Sequence, residues 1–412
     1  MNALSLALRF VAARPLLNLL TGAGVVVSVG LIVAVSALSA ATKTSALRSA
    51  GGYQLLVAAK GSPVQAVLST LFFMEPPTGN IPLALYRDLQ ADQGITRLVP
   101  FNFGDSYRGH FIVATTLDYF ALIGDMIGRP LASRPANRFF EKPFEAVIGW
   151  TVARQAGLTA GAQFTAAHGF IDLPQDLAQE HEARPYTVVS VLERTDTPAD
   201  RAIFTTLETA WQLHEEHGRA GRGDRPEAST QVTALLIQGR GYADLSRLAG
   251  ALGQRSDVQT VFPARVMTRL LTYLRLGEGV LLGVAWLSTG IAFLAVMISM
   301  LAAAIERRRQ IATLRVVGAG RAAIAKVLAA EAGIIAGLGA VVGIALGRVA
   351  AAVIAGRIER SGGLHLELAA IELTDLAIAG GAVLLGALAG VLPAAIACRE
   401  DIAPNPHFSR GG

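Results

Sequence analysis

Reactive side chains are sparse in this sequence, and their spacing does not assemble a catalytic centre. The single cysteine, Cys398, excludes an intrachain disulfide and any CxxC metal site. His214 and His217 flank Glu215 and Glu216, and two imidazoles three residues apart on a helix can share a divalent metal if a third ligand arrives from elsewhere. The i, i+4 spacing of H-E-x-x-H is missing, so the pair reads equally as a solvated polar face and is only a weak metal candidate. No Ser/His/Asp set or carboxylate pair stands in a recognisable context. None of the four lysines, Lys43, Lys60, Lys142 and Lys326, follows a glycine. The phosphate-cradling sequence G-x-x-x-x-G-K is therefore missing, and ATP hydrolysis has to come from another polypeptide.

The strongest signal is one of recognition. Glu306-Arg307-Arg308-Arg309-Gln310-Ile311-Ala312-Thr313-Leu314-Arg315-Val316-Val317-Gly318-Ala319-Gly320 is the densest block of positive charge in the chain. Ile311, Leu314 and Val317 recur at a spacing of three, which lines them along one face of a short helix, with Arg308, Gln310 and Arg315 elsewhere around it. An apolar ridge with a charged collar, ended by Gly318, is the form of a helix that docks into a partner's groove. The plainer alternative is a cytosolic anchor.

Placing these residues requires a bilayer. The chain of 412 residues is 52% hydrophobic but only 16% charged, against roughly 25% charged residues in a soluble domain. No charge occurs from Pro15 to Thr42, from Gly279 to Ile305 or from Leu376 to Cys398, and Val327 to Gly347 contains only Glu331. Each run meets the roughly 20 apolar residues needed to cross a hydrocarbon core of about 30 Å. The stretch from Leu16 to Val35 exceeds the roughly 7 to 15 residues of a signal-peptide core and reads as a retained anchor. The net charge of +5 is no nucleic-acid footprint, because Lys43 to Glu278 carries 23 basic and 23 acidic residues. The whole excess lies in and around the apolar runs, where it reports topology.

Between Glu306 and Lys326 there are six basic residues and one acid; between Arg348 and Asp375, three and four. The first segment is therefore expected in the cytosol and the second outside, with both termini cytosolic. The organisation that follows is an amphipathic lead-in with transmembrane helix 1 over residues 1–42, a periplasmic domain over 43–275, and helix 2 with its stalk over 276–305. A cytosolic coupling segment over 306–326, helix 3 over 327–347, a short periplasmic loop over 348–375, helix 4 over 376–398 and a cytosolic tail over 399–412 complete it. The fold class is membrane α-helical, four transmembrane helices, with a large extracytoplasmic α+β domain between helices 1 and 2.

Within that domain, short apolar runs alternate with Gly, Pro and Asp turns. Strands are expected at Tyr53 to Ala58, Arg97 to Phe101, Phe111 to Thr115, Ala146 to Ile148, Gln163 to Ala167, Tyr186 to Leu192, Val232 to Gln238 and Val258 to Phe262. Their irregular mixing with helices suggests two small α+β lobes. Arg219 to Pro226 reads as a mobile loop, and Phe72-Phe73-Met74 as either core or an apolar contact. From Arg265 a helical pattern of Val266, Leu270, Leu271 and Leu274 enters helix 2 without a proline, as a stalk that transmits displacement would.

Two features lie inside the membrane helices. Glu331, near the cytosolic end of helix 3, reads as a structural or coupling group within reach of the basic collar. Gly333 and Gly337, with Gly339, Gly343 and Gly347, fall at four-residue spacings that allow close helix contact, within the chain or between copies.

One apolar helix, a large domain and three further apolar helices resemble the FtsX-like permease family, the membrane subunits of MacB-type ABC transporters. The likeness covers nearly the whole chain. Its most specific part is Glu306 to Ala319, with an acid, basic residues, Ile311-Ala312, Leu314-Arg315 and a terminal Gly318-Ala319. Leu328-Ala329-Ala330-Glu331-Ala332-Gly333 and Leu392-Pro393-Ala394 support it, while Asp401-Ile402-Ala403-Pro404 departs from the family's Pro-x-x-x-Leu ending. The resemblance implies a multi-pass protein of the bacterial inner membrane, working as a homodimer with two copies of a separate ATPase that binds ATP and Mg. Glu306, Arg307, Arg308, Arg309, Ile311, Leu314, Arg315, Val317, Gly318 and Ala319 would contact that ATPase. It further implies mechanotransmission to the periplasmic domain, serving export or substrate handling at the outer leaflet, with no cofactor in this chain. The alternatives are FtsX-like regulation of a periplasmic hydrolase without transport, or a periplasmic metal-trafficking component. Expected partners are thus the ATPase, a second copy, the lipid bilayer and a periplasmic protein, and not nucleic acid.

Overall fold

The computed structural model describes residues 3–135, 137–169, 184–220, 231–316, 318, 320–362 and 365–397. It divides into two compact units, one made of Met1–Ala41, Leu274–Arg357 and Glu367–Gly412, the other of Thr42–Tyr273 and Ile358–Leu366.

In the first unit a lead helix, Ala3–Ala12, precedes a helix opened by Pro15, a residue suited to a first turn that needs no N–H donor. Four helices, Pro15–Gly51, Pro263–Glu306, Arg321–Gly362 and Leu373–Ala397, hold segments long and apolar enough to cross a membrane. They pack through small residues. A Cβ on Gly343 would stand 2.9 Å from the Val26 carbonyl oxygen, and one on Gly347 2.5 Å from that of Gly30, so the first and third apolar helices meet backbone to backbone. Val25, Val29, Val33, Ala292, Val296, Met300 and Ile335 fill the centre. Leu287, Ile291, Leu294 and Ile298 stay exposed, as lipid-facing side chains do. The third helix runs on to Gly362, well past residue 347, because the sequence stays apolar and alanine-rich from Val349 to Ala355 with no proline to stop it.

The second unit is built on one sheet of eleven strands among the described residues. Its main path runs Val258–Val261, Leu55–Ala59, Ala234–Gly239, Ile95–Tyr107, His110–Thr115, Ile203–Thr206, Glu145–Ile148, Tyr186–Leu192 and Ser133–Arg134. This corrects the expected pair of lobes. The 13-residue strand Ile95–Tyr107 pairs with Ala234–Gly239 along its first half and with His110–Thr115 along its second, and the register shifts between Phe103 and Asp105. Sequence reading ended this strand at Phe101 because Asn102, Gly104, Asp105 and Ser106 are turn-formers, overridden here by pairing on both edges.

Strand alternation around Leu55–Ala59 supplies two cores, and Ile112, Ala146, Ile148 and Val188 with Phe144, Phe164 and Tyr186 form a third farther along the sheet. Leu56, Ala58, Val99, Phe101 and Leu236 point into an aromatic cluster with Phe73, Tyr119, Phe120 and Phe204. Leu55, Val57, Leu235 and Ile237 point the other way, against Leu85, Leu245 and Leu248. Phe73 ends the helix Pro63–Phe72 in the left-handed region (φ 52°), held there by its N–H bond to the Leu68 carbonyl and by ring contacts with Phe101, Phe103 and Phe204. Phe72 and Phe73 are therefore core, while Met74 is 41% exposed. The expected loop at Arg219 to Pro226 lies, from residue 221 on, outside the described residues; before it, Leu207–Ala220 is helix.

Candidate functional site

The second apolar helix ends at Glu306 and a new helix, Arg308–Val316, begins two residues later. Arg307 forms the joint. Only 8% exposed, it donates from Nη1 to both carboxylate oxygens of Glu331, at 3.3 and 3.1 Å, and from Nη2 to the Phe10 carbonyl at 3.2 Å. Its guanidinium lies 4.1 Å from the centroid of the Phe10 ring. Glu331 is 1% exposed. Withdrawing either ion alone from water costs several kcal/mol, by order of magnitude, and only a hydrogen-bonded partner offsets that. Arg307 and Glu331 meet the condition, and in doing so knot three elements together: the lead helix, the end of the second apolar helix and the third. Arg14 pairs with Glu306 beside them.

The residues expected to meet an ATPase thus divide. Glu306, Arg308 and Arg309 are exposed, Arg315 is half-buried, and Arg307 turns inward. Gly318 has φ +100°, where a side chain is strained, and its N–H donates to the Arg315 carbonyl at 3.0 Å, closing the turn. Ile311 and Leu314 belong to the helix, but their side chains lie outside the described residues, as do Val317 and Ala319 altogether. A helical signal for Arg307 was available: Val296, Met300 and Ala303 form the buried stripe of the same helix, and Arg307 lies one turn beyond Ala303. Gly339, Gly343 and Gly347 face the first apolar helix, whereas Gly333 and Gly337 face Val383 of the fourth.

In the second unit, His214 and His217 lie on Leu207–Ala220, with side chains outside the described residues. A different histidine is engaged. His365 Nδ1 lies 2.9 Å from Glu359 Oε1 and its Nε2 3.4 Å from Asp196 Oδ1, while Arg194 Nη2 approaches Nδ1 at 2.7 Å. Arg194 Nε also donates to Asp196 Oδ1 at 2.6 Å. This cluster fastens the segment Ile358–Leu366 to the end of the strand Tyr186–Leu192, and the acids flanking His365 were its only sequence signal.

Next to it, Asp200 is 6% exposed and accepts from the Thr195 N–H at 3.0 Å, the Thr195 hydroxyl at 2.8 Å and the Asp196 N–H at 2.9 Å. Burial outweighs those donors and pushes its pKa up to about 6.

Comparison with known proteins completes the description. Residues 19–254, more than half of the chain, match the MacB-like periplasmic core domain, and residues 282–402 match the FtsX-like permease C-terminal region. No curated protein matches. Among solved structures, the extracellular domain of the noncanonic ABC-type transporter YknZ from Gram-positive bacteria aligns with a TM-score of 0.29 and 10% identity, over 50% of this chain and 99% of that one.

Proposed function

The chain belongs to the MacB/FtsX-type ABC transporter permeases, and from that premise we propose that it transmits the motion of a separate ABC ATPase to a domain outside the membrane. Permeases of this type are membrane components that work with an ABC ATPase. In this reading both termini and the helix Arg308–Val316 are cytosolic, the domain between the first two membrane helices is periplasmic, and the membrane is the bacterial inner membrane. Two copies of the permease act with two ATPases, which bind the ATP and Mg.

One observation carries the reading. The helix Pro263–Glu306 is unbroken over 44 residues, about 66 Å at roughly 1.5 Å per residue. It starts directly after the strand Val258–Val261 of the outer sheet and ends at the joint made by Arg307. A displacement of Arg308–Val316 is then passed to Glu331 and to the long helix as a rigid push, since both ends of the joint are pinned by hydrogen bonds. Exposed Arg308 and Arg309, with Arg315, suit an acidic groove on the ATPase. The outer domain in turn acts on substrate outside the membrane or at its outer leaflet, a mode for which apolar spans without a polar lining are suited.

The test is reconstitution of the permease with its ATPase in nanodiscs. Arg308→Glu with Arg309→Glu and Arg315→Glu is expected to weaken association by about tenfold or more. Inserting Gly-Pro-Gly after Gly277 is expected to leave association intact and to abolish substrate-dependent stimulation of ATPase activity. Undiminished association of the triple variant would overturn the docking assignment, and intact stimulation after the insertion would overturn mechanotransmission.

A further inference from the structure

The outer unit contains a cleft that coupling does not use. The helix Asp118–Ile127 and the segment that follows it enclose a groove of about 690 Å3, walled by Leu117, Phe120, Ala121, Leu131 and Phe139. Phe120 and Phe139 form its floor as a stacked pair, with centroids 4.5 Å apart. Gly124 lets the backbone of Arg129 to Leu131 close against the helix, because a Cβ there would stand 3.1 Å from the Arg129 carbonyl oxygen. Arg129 is also a wall of a second cavity of about 450 Å3, shared with Arg134, Trp150, Glu193 and Arg194. The two cavities therefore share one wall residue, Arg129.

The charge in this cleft is lopsided. Glu193 accepts from Arg129 at 3.3 Å and from Arg134 at 3.2 Å, so two guanidiniums share one carboxylate. Arg129 also donates to the Arg194 carbonyl, and Arg194 is engaged with Asp196 and Glu359. Arg194 also lies over the Trp150 ring of this cavity, at 4.9 Å from its centroid, and Arg154, outside both cavity walls, lies 4.7 Å from the same centroid. The Arg134 side chain is 83% exposed, leaving most of its five N–H donors to solvent. At the other end of the groove Asp125 is neutralised by Arg97 at 2.7 Å.

An apolar groove beside a cationic cavity is complementary to a molecule with a hydrocarbon chain and one anionic end. We infer that this cleft binds a single anionic phospholipid, with an acyl chain along Phe120, Ala121 and Phe139 and the phosphate between Arg129 and Arg134. Arginine forks match the geometry of phosphate oxygens in pairs, which Glu193 alone does not saturate. The methylenes need only the apolar wall. The cleft lies wholly in the outer unit, so the inference stands or falls independently of ATPase coupling.

The test uses the full chain in phosphatidylcholine nanodiscs, with Trp211→Phe and Trp286→Phe so that Trp150 alone reports. The probe is dihexanoyl-phosphatidylglycerol below its micellar concentration. A saturable change in Trp150 emission is expected, weakened by about tenfold or more both by Ala121→Phe, which fills the groove from an exposed position, and by Arg134→Glu. Dihexanoyl-phosphatidylcholine and inorganic phosphate are each expected to bind at least about tenfold more weakly, since one lacks the net charge and the other the chain. Both variants should keep the parent melting temperature; if Arg134→Glu lowers it, Arg134→Gln replaces it. Equal binding of the zwitterionic lipid, phosphate binding as tight as the lipid, an absent response, or binding untouched by both substitutions would overturn the inference.

Discussion

Replacing Glu331 by alanine tests the joint where it is most exposed to refutation. The substitution leaves the Arg307 guanidinium 8% exposed and without its carboxylate, holding only the Phe10 carbonyl and ring. Stranding one charge of a buried pair costs about 3–5 kcal/mol, whereas replacing both partners by apolar residues is often neutral or stabilising. Glu331→Ala and Arg307→Ala should therefore each lower stability by about 3–5 kcal/mol, and Arg307→Met with Glu331→Leu should return to within about 1–2 kcal/mol of the parent, the remainder reflecting the lost contacts to Phe10. Unfolding of these proteins and of Arg307→Ala with Glu331→Ala in one detergent, with parent and alanine variants treated as a double-mutant cycle, measures the coupling between the two positions. A coupling energy below about 1 kcal/mol would refute the account of a buried, mutually dependent pair. ATPase stimulation by the stable double variant then separates stability from transmission: the knot to the lead helix is gone, so stimulation is expected to fall although the fold persists.

Three further outcomes follow from the same geometry. Gly347→Leu drives a side chain into the Gly30 backbone and should cost about 1–3 kcal/mol or more, while Gly356→Leu, with open space at its Cβ, should cost little; thermal unfolding of both compares them. Asp200 titrates near 6 when folded and near 3.8 when unfolded, so the folded state binds the proton more tightly between these values. Its contribution to stability is fully present below about pH 3.8 and is lost as pH rises through about 6, roughly 3 kcal/mol in all. Melting curves from pH 4 to 7 should show that slope as the difference between the parent and Asp200→Asn, and identical slopes would remove the assignment. Gly318→Val, forced to φ +100°, should weaken ATPase association without affecting the outer domain's pH profile, read by co-purification and melting in parallel.

The membrane helices were legible because their signal is bulk composition: three runs carry no charge and the fourth carries one. Within them, spacing alone showed which glycines allow close contact but not with what. The partners of Gly343 and Gly347 are backbone atoms of another helix, which no periodicity encodes. The strand Ile95–Tyr107 was half legible, since its first half alternates in a recognisable way and its second is written in turn residues that only cross-strand pairing holds extended. At the candidate site the exposed collar of Arg308 and Arg309 followed from charge. Arg307 did not, because a run of three arginines looks uniform until the buried stripe of Val296, Met300 and Ala303 is extended one more turn. The cluster around His365 depends on residues 165 and more positions apart, Arg194 with Glu359, and such pairs leave no local trace.

The central claim is that ATPase motion reaches the outer domain through the helix Pro263–Glu306. Its most direct test is a spin-label distance measurement on the reconstituted complex, with Cys398→Ser removing the only native cysteine and Arg255→Cys placing one label on each outer domain. The account predicts that the inter-copy distance changes when the ATPase is trapped with ATP and vanadate, and that a Gly-Pro-Gly insertion after Gly277 removes the change while the ATPase stays bound. An unchanged distance on trapping, or a change that survives the insertion, would contradict it.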